Sequence, residues 1–232
     1  MSDDLTLEHE ARDTSVFYTG LSWLVTILVP VALVMTVVRL LMTPAFLQIE
    51  YSLPGFPDDR YGFTRQERLH WSNIALDYLL NSQDISFLGD LRFEDGQPVY
   101  NQRELRHMVD VKRTVQAALL VWYVSLLVLI ALGLWAWRAG WLQFYRDGLA
   151  RGGWLTVLLV GTIILFVAIS FSVFFVAFHN VFFQPGTWTF LYSDTLIRLF
   201  PERFWRDIFI FVGVLSVGGG LGLALGLRRR PA

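Results

Sequence analysis

Apolar positions in this chain come in long unbroken blocks, not at the spacing of a soluble amphipathic core. Val16–Val38, Thr114–Trp137, a block that opens at Gly152 and runs to His179, and Ile208–Leu227 contain no Asp, Glu, Lys or Arg. Each reaches the roughly 20 residues that a helix needs to cross a hydrocarbon core about 30 Å thick. The pattern predicts an all-α integral membrane protein with four transmembrane helices, at 16–42, 111–137, 154–179 and 206–227. Between and around them lie a tail (1–15), a long connection (43–110), a loop (138–153), an aromatic-rich loop (180–205) and a short tail (228–232).

Local signals divide the polar segments further. The residues before the first block, MSDDLTLEHEARD, carry five acids and one Arg. A secretory leader opens on a basic region, so the first block is expected to remain as an anchor. Segment 43–110 reads as a small folded cap. Thr64-Arg-Gln-Glu67 is a capping-box pattern ahead of an apolar stripe at Leu69, Leu76, Leu79 and Leu80. Asp95-Gly96 favours a tight turn between short extended pieces. Asn101 with Glu104 opens a helix that runs without a break into the second span. Pro201 suits the first turn of the fourth. Gly218-Gly219-Gly220 reads as close helix packing.

Composition and charge then narrow the picture. Of 232 residues 54% are hydrophobic, and the net charge of −1 points to no particular partner. There is no basic-aromatic patch for nucleic acid, and the absence of cysteine removes disulfide and thiolate chemistry. Arg138, Arg146 and Arg151 in one short connection, with Arg228, Arg229 and Arg230 at the end, put both termini in the cytoplasm and the cap outside. Arg198, Arg203 and Arg206 on the opposite connection weaken that bias.

Depth places the histidines. His107 lies eight residues, about 12 Å, before the apolar run that starts at Val115. His179 is 25 residues, about 37 Å, along a helix counted from Trp154, just past a 30 Å core. Both therefore emerge at a similar depth on the outer side, on neighbouring antiparallel helices. His9 falls in the tail and His70 on the cap helix, outside this pairing. Asp110 is on the same helical face as His107, where it can fix an imidazole tautomer, or it can pair with Arg106 or Arg113. Phe182, Phe183, Trp188, Phe190 and Tyr192 follow His179 around a Pro185-Gly186 break and suit the wall of an acyl-binding cleft, or an interfacial aromatic belt. Asp194 either caps a short apolar helix or orients His179. Tyr61 and Arg65 can add a ring and a cation to the cleft.

The sequence offers no nucleophile elbow, no phosphate-cradling loop and no zinc-protease helix. What it does offer is RHMVDVK at 106–112, FHNVFFQPGTWTF at 178–190 and SDTLIRLFPERFW at 193–205. In that order, on four spans, these motifs resemble the bacterial lipoprotein intramolecular transacylase family, Lit. The resemblance implies four membrane helices under an extracytoplasmic cap, with two catalytic histidines carried onto His107 and His179. It implies transfer of the sn-2 acyl chain of a diacylglyceryl lipoprotein to the α-amine of its N-terminal cysteine, in the plasma membrane, without a cofactor or metal. The partners implied are the lipoprotein substrate and membrane lipid. Asp110, Trp188 and Asp194 fall at supporting positions, and Arg106 beside His107 is itself a candidate supporting residue. Two other readings stay open: bis-histidine haem or metal binding by His107 and His179, and a non-enzymatic receptor or assembly factor whose histidines are merely interfacial.

Overall fold

The computed structural model describes residues 2–184 and 186–227, with side chains from Thr14 onward. Pro185, the arginines at 228–230 and the side chain of His9 lie outside the described residues. The described chain is helical: α1 (Ser2–Leu41), α2 (Pro44–Glu50), α3 (Arg65–Leu80), α4 (Ser86–Gly89), α5 (Gln102–Arg138), α6 (Leu142–Ile169), α7 (Phe171–Phe182), α8 (Thr195–Leu199) and α9 (Glu202–Gly226). Four of these, α1 from Thr14, α5, α6 and α9, are long and apolar enough to cross a membrane. The chain is an all-α multi-pass membrane protein.

Contacts divide it into two compact units. One comprises residues 1–37, 121–163 and 212–232. Its helices approach through small residues, as expected where lipid is as apolar as Leu and close packing must supply the association. A Cβ at Gly220 would lie 2.8 Å from the Gly153 carbonyl, so only glycine fits there, whereas Gly218 has open space around it. Val25, Val29, Ala32 and Leu129 form the buried centre of this unit.

The second unit, residues 38–120 and 164–211, holds the cap. Its α3 starts on the expected capping box. Thr64 Oγ1 accepts from Glu67 N at 3.2 Å, and the Glu67 carboxylate accepts from Thr64 N at 2.7 Å. The face α3 buries is not purely apolar, because Arg68 and Ser72 sit on it with Ala75, Leu76 and Tyr78. Arg68 donates to the Pro57 carbonyl and Ser72 shares a hydrogen bond with Tyr51 Oη, which allows polar groups in the core. The Asp95-Gly96 turn forms: Phe93 N donates to Gln97 O across an Arg92–Pro98 bridge, with Gly96 at φ +84°.

Two elements differ from the sequence reading. A single third helix over 154–179 was expected; instead α6 begins at Leu142 and ends at Ile169, and α7 is separate. At 28 residues, about 42 Å, α6 is long enough alone. Ser170 between them is extended (φ −157°, ψ 95°), yet its N–H still reaches Phe166 O and its carbonyl accepts from Phe174 N. The ladder therefore loses little at the break. The second difference is α8, the short apolar helix expected within the 180–205 loop. Its Leu196 and Leu199 enter the cap core with Tyr78, Leu88, Val99, Leu105 and Met108.

Candidate active site

The first three turns of α5 come before its apolar run begins at Thr114. At 37 residues, about 55 Å, the helix is far longer than a hydrocarbon core requires, so this end projects beyond it. Asn101 and Glu104 fix where the projection starts: Glu104 N donates to Asn101 Oδ1 at 3.1 Å, and Asn101 N donates to Glu104 Oε2 at 2.8 Å. The other Glu104 oxygen accepts from Leu196 N at 2.7 Å, tying the start of α5 to α8. Burial raises the Glu104 carboxyl above its ordinary range, and the two backbone amides oppose that rise.

One turn after Arg103, His107 is 8% exposed and faces α7. The His107 and His179 rings stack at 6.3 Å between centroids, 22° from parallel. Phe183 and Phe190 close on His107 at 5.0 and 5.3 Å. Around His179 stand Phe175 at 4.0 Å, Trp188 at 4.8 Å, Phe183 at 5.6 Å and Phe178 at 5.8 Å. His179 Nδ1 donates to the Phe175 carbonyl one turn back, at 2.8 Å. That bond puts the proton on Nδ1 and leaves the Nε2 lone pair to act as acceptor or base. His107 Nδ1 is buried with no hydrogen-bond partner. Burial, and secondarily the nearby His179, push the His107 imidazolium down to about 4, so this ring is neutral at pH 7.

The loop that carries Trp188 and Phe190 is held by Asp194. Its carboxylate accepts from Arg103 Nη2 at 2.7 Å, Leu191 N at 2.8 Å and Asn101 Nδ2 at 3.0 Å. Asp194 stands at the N-cap of α8 but makes no side-chain cap bond, and none to His179. Neither role expected from sequence is the one it has; it clamps its own loop to α5. Asp110 likewise does not touch His107. It pairs at 4.0 Å with Arg113, on an exposed face.

The remaining nominated residues scatter. Phe183 and Trp188 line the histidine pair, while Phe182 packs on Phe178 at 4.8 Å and is half exposed. Tyr192 is 83% exposed. Arg106 is on another face of α5, in a groove of about 520 Å³ with Gln102, Leu105, Val109 and Asp84. Tyr61 receives Arg198 through its carbonyl and ring face, and Arg65 bonds Ser52. His70 packs against Trp71. Sequence reasoning missed Phe175 and Arg103, and it read Glu104 as a cap without its second bond to Leu196 N. The available signal for Arg103 was its i−4 spacing from His107; a backbone acceptor such as the Phe175 carbonyl carries none.

Aromatic rings gather around the two imidazoles, and comparison with known proteins decides the family. The family described as lipoprotein intramolecular transacylase Lit matches residues 22–205. The chain belongs to the Lit family. Function follows at that level: it is a lipoprotein intramolecular transacylase, hence an acyltransferase. An uncharacterized protein of Aquifex aeolicus (strain VF5) is 33% identical over 178 residues, 77% of this chain and 79% of that one. Among solved structures, Lit from Bacillus cereus is 20% identical with a TM-score of 0.70, covering 88% of this chain and 93% of its own. A variant of that Lit with one histidine changed to arginine superposes with a TM-score of 0.67 at 19% identity, over 94% and 95% of the two chains. At those identities the likeness establishes the shared fold.

Proposed function

We propose that His107 and His179 together catalyse movement of the sn-2 acyl chain of a diacylglyceryl lipoprotein onto the α-amine of its N-terminal cysteine. The observation that carries this is the pair itself: two imidazoles 6.3 Å apart, with His179 held by Phe175 so that Nε2 is free. An α-amine has a pKa of about 7.7–8.0, so near neutrality its reactive form has to be generated and its second proton removed. As the amine nitrogen attacks the ester carbonyl carbon, His179 Nε2 takes that proton. The tetrahedral intermediate collapses with cleavage of the bond to the glyceryl oxygen, which receives the proton back. His107, neutral at pH 7, hydrogen-bonds the reacting groups, and its low pKa keeps the pair at one positive charge at a time.

Donor and acceptor belong to one molecule, so no acyl-enzyme is required and no nucleophilic side chain is needed. The protein's largest contribution is to fold the substrate on itself, an orientation effect that can reach about 7–11 kcal/mol. Phe183, Trp188 and Phe190 exclude water from the ester. Both termini lie in the cytoplasm and the histidines at the outer leaflet, with membrane lipid around the spans. The family assignment favours this over the haem and receptor alternatives. The test is mass spectrometry of the N-terminal peptide of a reporter lipoprotein, in a host without its own N-acylating activity. His107→Ala and His179→Ala each abolish the lyso form; full conversion by either variant removes that histidine from the mechanism.

A further inference from the structure

Beside the base stands a donor with nothing to donate to. Trp188 packs its ring at 4.8 Å from that of His179, and its indole Nε1–H is buried without a hydrogen-bond partner. A buried N–H left unpaired is costly, and native proteins keep few of them. No acceptor, the free His179 Nε2 included, hydrogen-bonds it, and the other rings closing this pocket are those of Phe175, Phe178 and Phe183. His107 Nδ1, on the other wall, is also buried and unpaired. Two orphaned polar atoms in one aromatic pocket, flanking a ring whose own Nδ1 is satisfied, mark where a polar group of the substrate belongs. The clamp described above keeps this loop in place, since Asp194 binds Leu191 N and Arg103 on α5.

We infer that the Trp188 indole N–H hydrogen-bonds the ester carbonyl oxygen of the substrate and carries the negative charge that develops there in the tetrahedral intermediate. This rests on the transacylase reading. When the amine nitrogen bonds to the carbonyl carbon, the π electron pair moves onto oxygen. The indole N–H, preorganised and shielded from water, stabilises that oxyanion without being consumed. The pair then returns to re-form C=O as the glyceryl C–O bond breaks and the alkoxide takes the proton from His179. Trp188 is thereby a catalytic residue, and not only a wall of the cleft. Arg103 is the nearby cation, and its charge is already met by Asp194 with its guanidinium over the Phe190 ring.

Trp188→Phe keeps a ring and removes the N–H. In purified protein with a synthetic diacylated lipopeptide, kcat is expected to fall about 100-fold or more, the usual loss for one oxyanion donor, with KM nearly unchanged. Trp188→His, which restores a ring N–H, is expected to recover part of kcat. Affinity for a non-reactive phosphonate analogue of the tetrahedral intermediate falls in Trp188→Phe in step with kcat, a readout independent of turnover. Wild-type kcat in Trp188→Phe overturns the inference, as does an equal loss in both variants with raised KM, which is the pattern of lost packing. Absence of acyl transfer by the unaltered protein overturns the transacylase reading and this inference together.

Discussion

His179 gives its Nδ1 proton to the Phe175 carbonyl 2.8 Å away, one turn back on the same helix. That bond, internal to α7, sets the tautomer before any substrate arrives. It follows that only residues offering a basic lone pair at the Nε2 position can replace His179. His179→Gln is expected to lose about 10²–10⁴-fold in kcat, the range of a general base, with its thermal melting in detergent close to that of the unaltered protein. An active Gln variant would show that proton removal is not the task of this side chain.

His107 links the site to stability. Its folded pKa of about 4 lies below the ordinary histidine value of 6.5. Below pH 6.5 the unfolded chain takes up a proton that the folded chain refuses, so stability falls as pH drops from 6.5 to 4 and this contribution levels off beneath that. Melting temperature measured across pH 4–8 is expected to show this slope, and His107→Phe to reduce it. Proton NMR of a sample labelled at histidine should show one Cε1–H resonance that does not titrate between pH 5 and 8.

A buried carboxyl gives the opposite sign. Glu50, at the end of α2, is fully buried, and neither of its oxygens has a hydrogen-bond partner. Burial first, then the neighbouring Asp207, raise it from 4.5 to about 7, while Arg203 works against them. The folded state holds a proton that the unfolded state releases above 4.5. Stability from this residue is therefore complete below pH 4.5 and is lost as pH rises to 7. Glu50→Gln, neutral throughout, should flatten the fall and melt higher than the unaltered protein at pH 8. Scanning fluorimetry at pH 5 and pH 8 checks both statements.

Asp194 predicts a coupled loss. The hydrogen bonds to its carboxylate are charge-assisted but open to solvent, so each contributes about 1 kcal/mol. Asp194→Asn is expected to speed amide exchange over residues 186–194 and to lower kcat by displacing Trp188 and Phe190. Combining it with Arg103→Met should cost less than the two single changes added, because both break one ion pair. Strict additivity in kcat would separate Arg103 from the clamp.

The four spans were readable because long apolar runs have few other fates, and the two capping boxes because each is a local pattern of donors and acceptors. Depth counting paired His107 with His179, and their rings do meet, although the single helix on which the count ran is broken at Ser170. The break at Ser170 was not legible. It involves neither Gly nor Pro and leaves nearly all the ladder bonds intact. The true partners of Asp194 were hidden for another reason: Asn101 and Arg103 are more than 90 positions away in sequence. The buried face of α3 defeated an apolar count because Arg68 and Ser72 find acceptors and donors only once Tyr51 and Pro57 have been placed.

Glu104 has a consequence in time. One of its oxygens serves Asn101 beside it, and the other waits for Leu196 N, 92 residues later in the chain. At roughly 5–20 residues per second, translation takes about 5–20 s to supply that partner. His107 is therefore synthesised long before its pocket exists. Until α8 arrives, the nascent protein exposes a half-satisfied acid and an uncovered imidazole at the start of α5. Enzymatic competence is thus reserved for chains translated past α8.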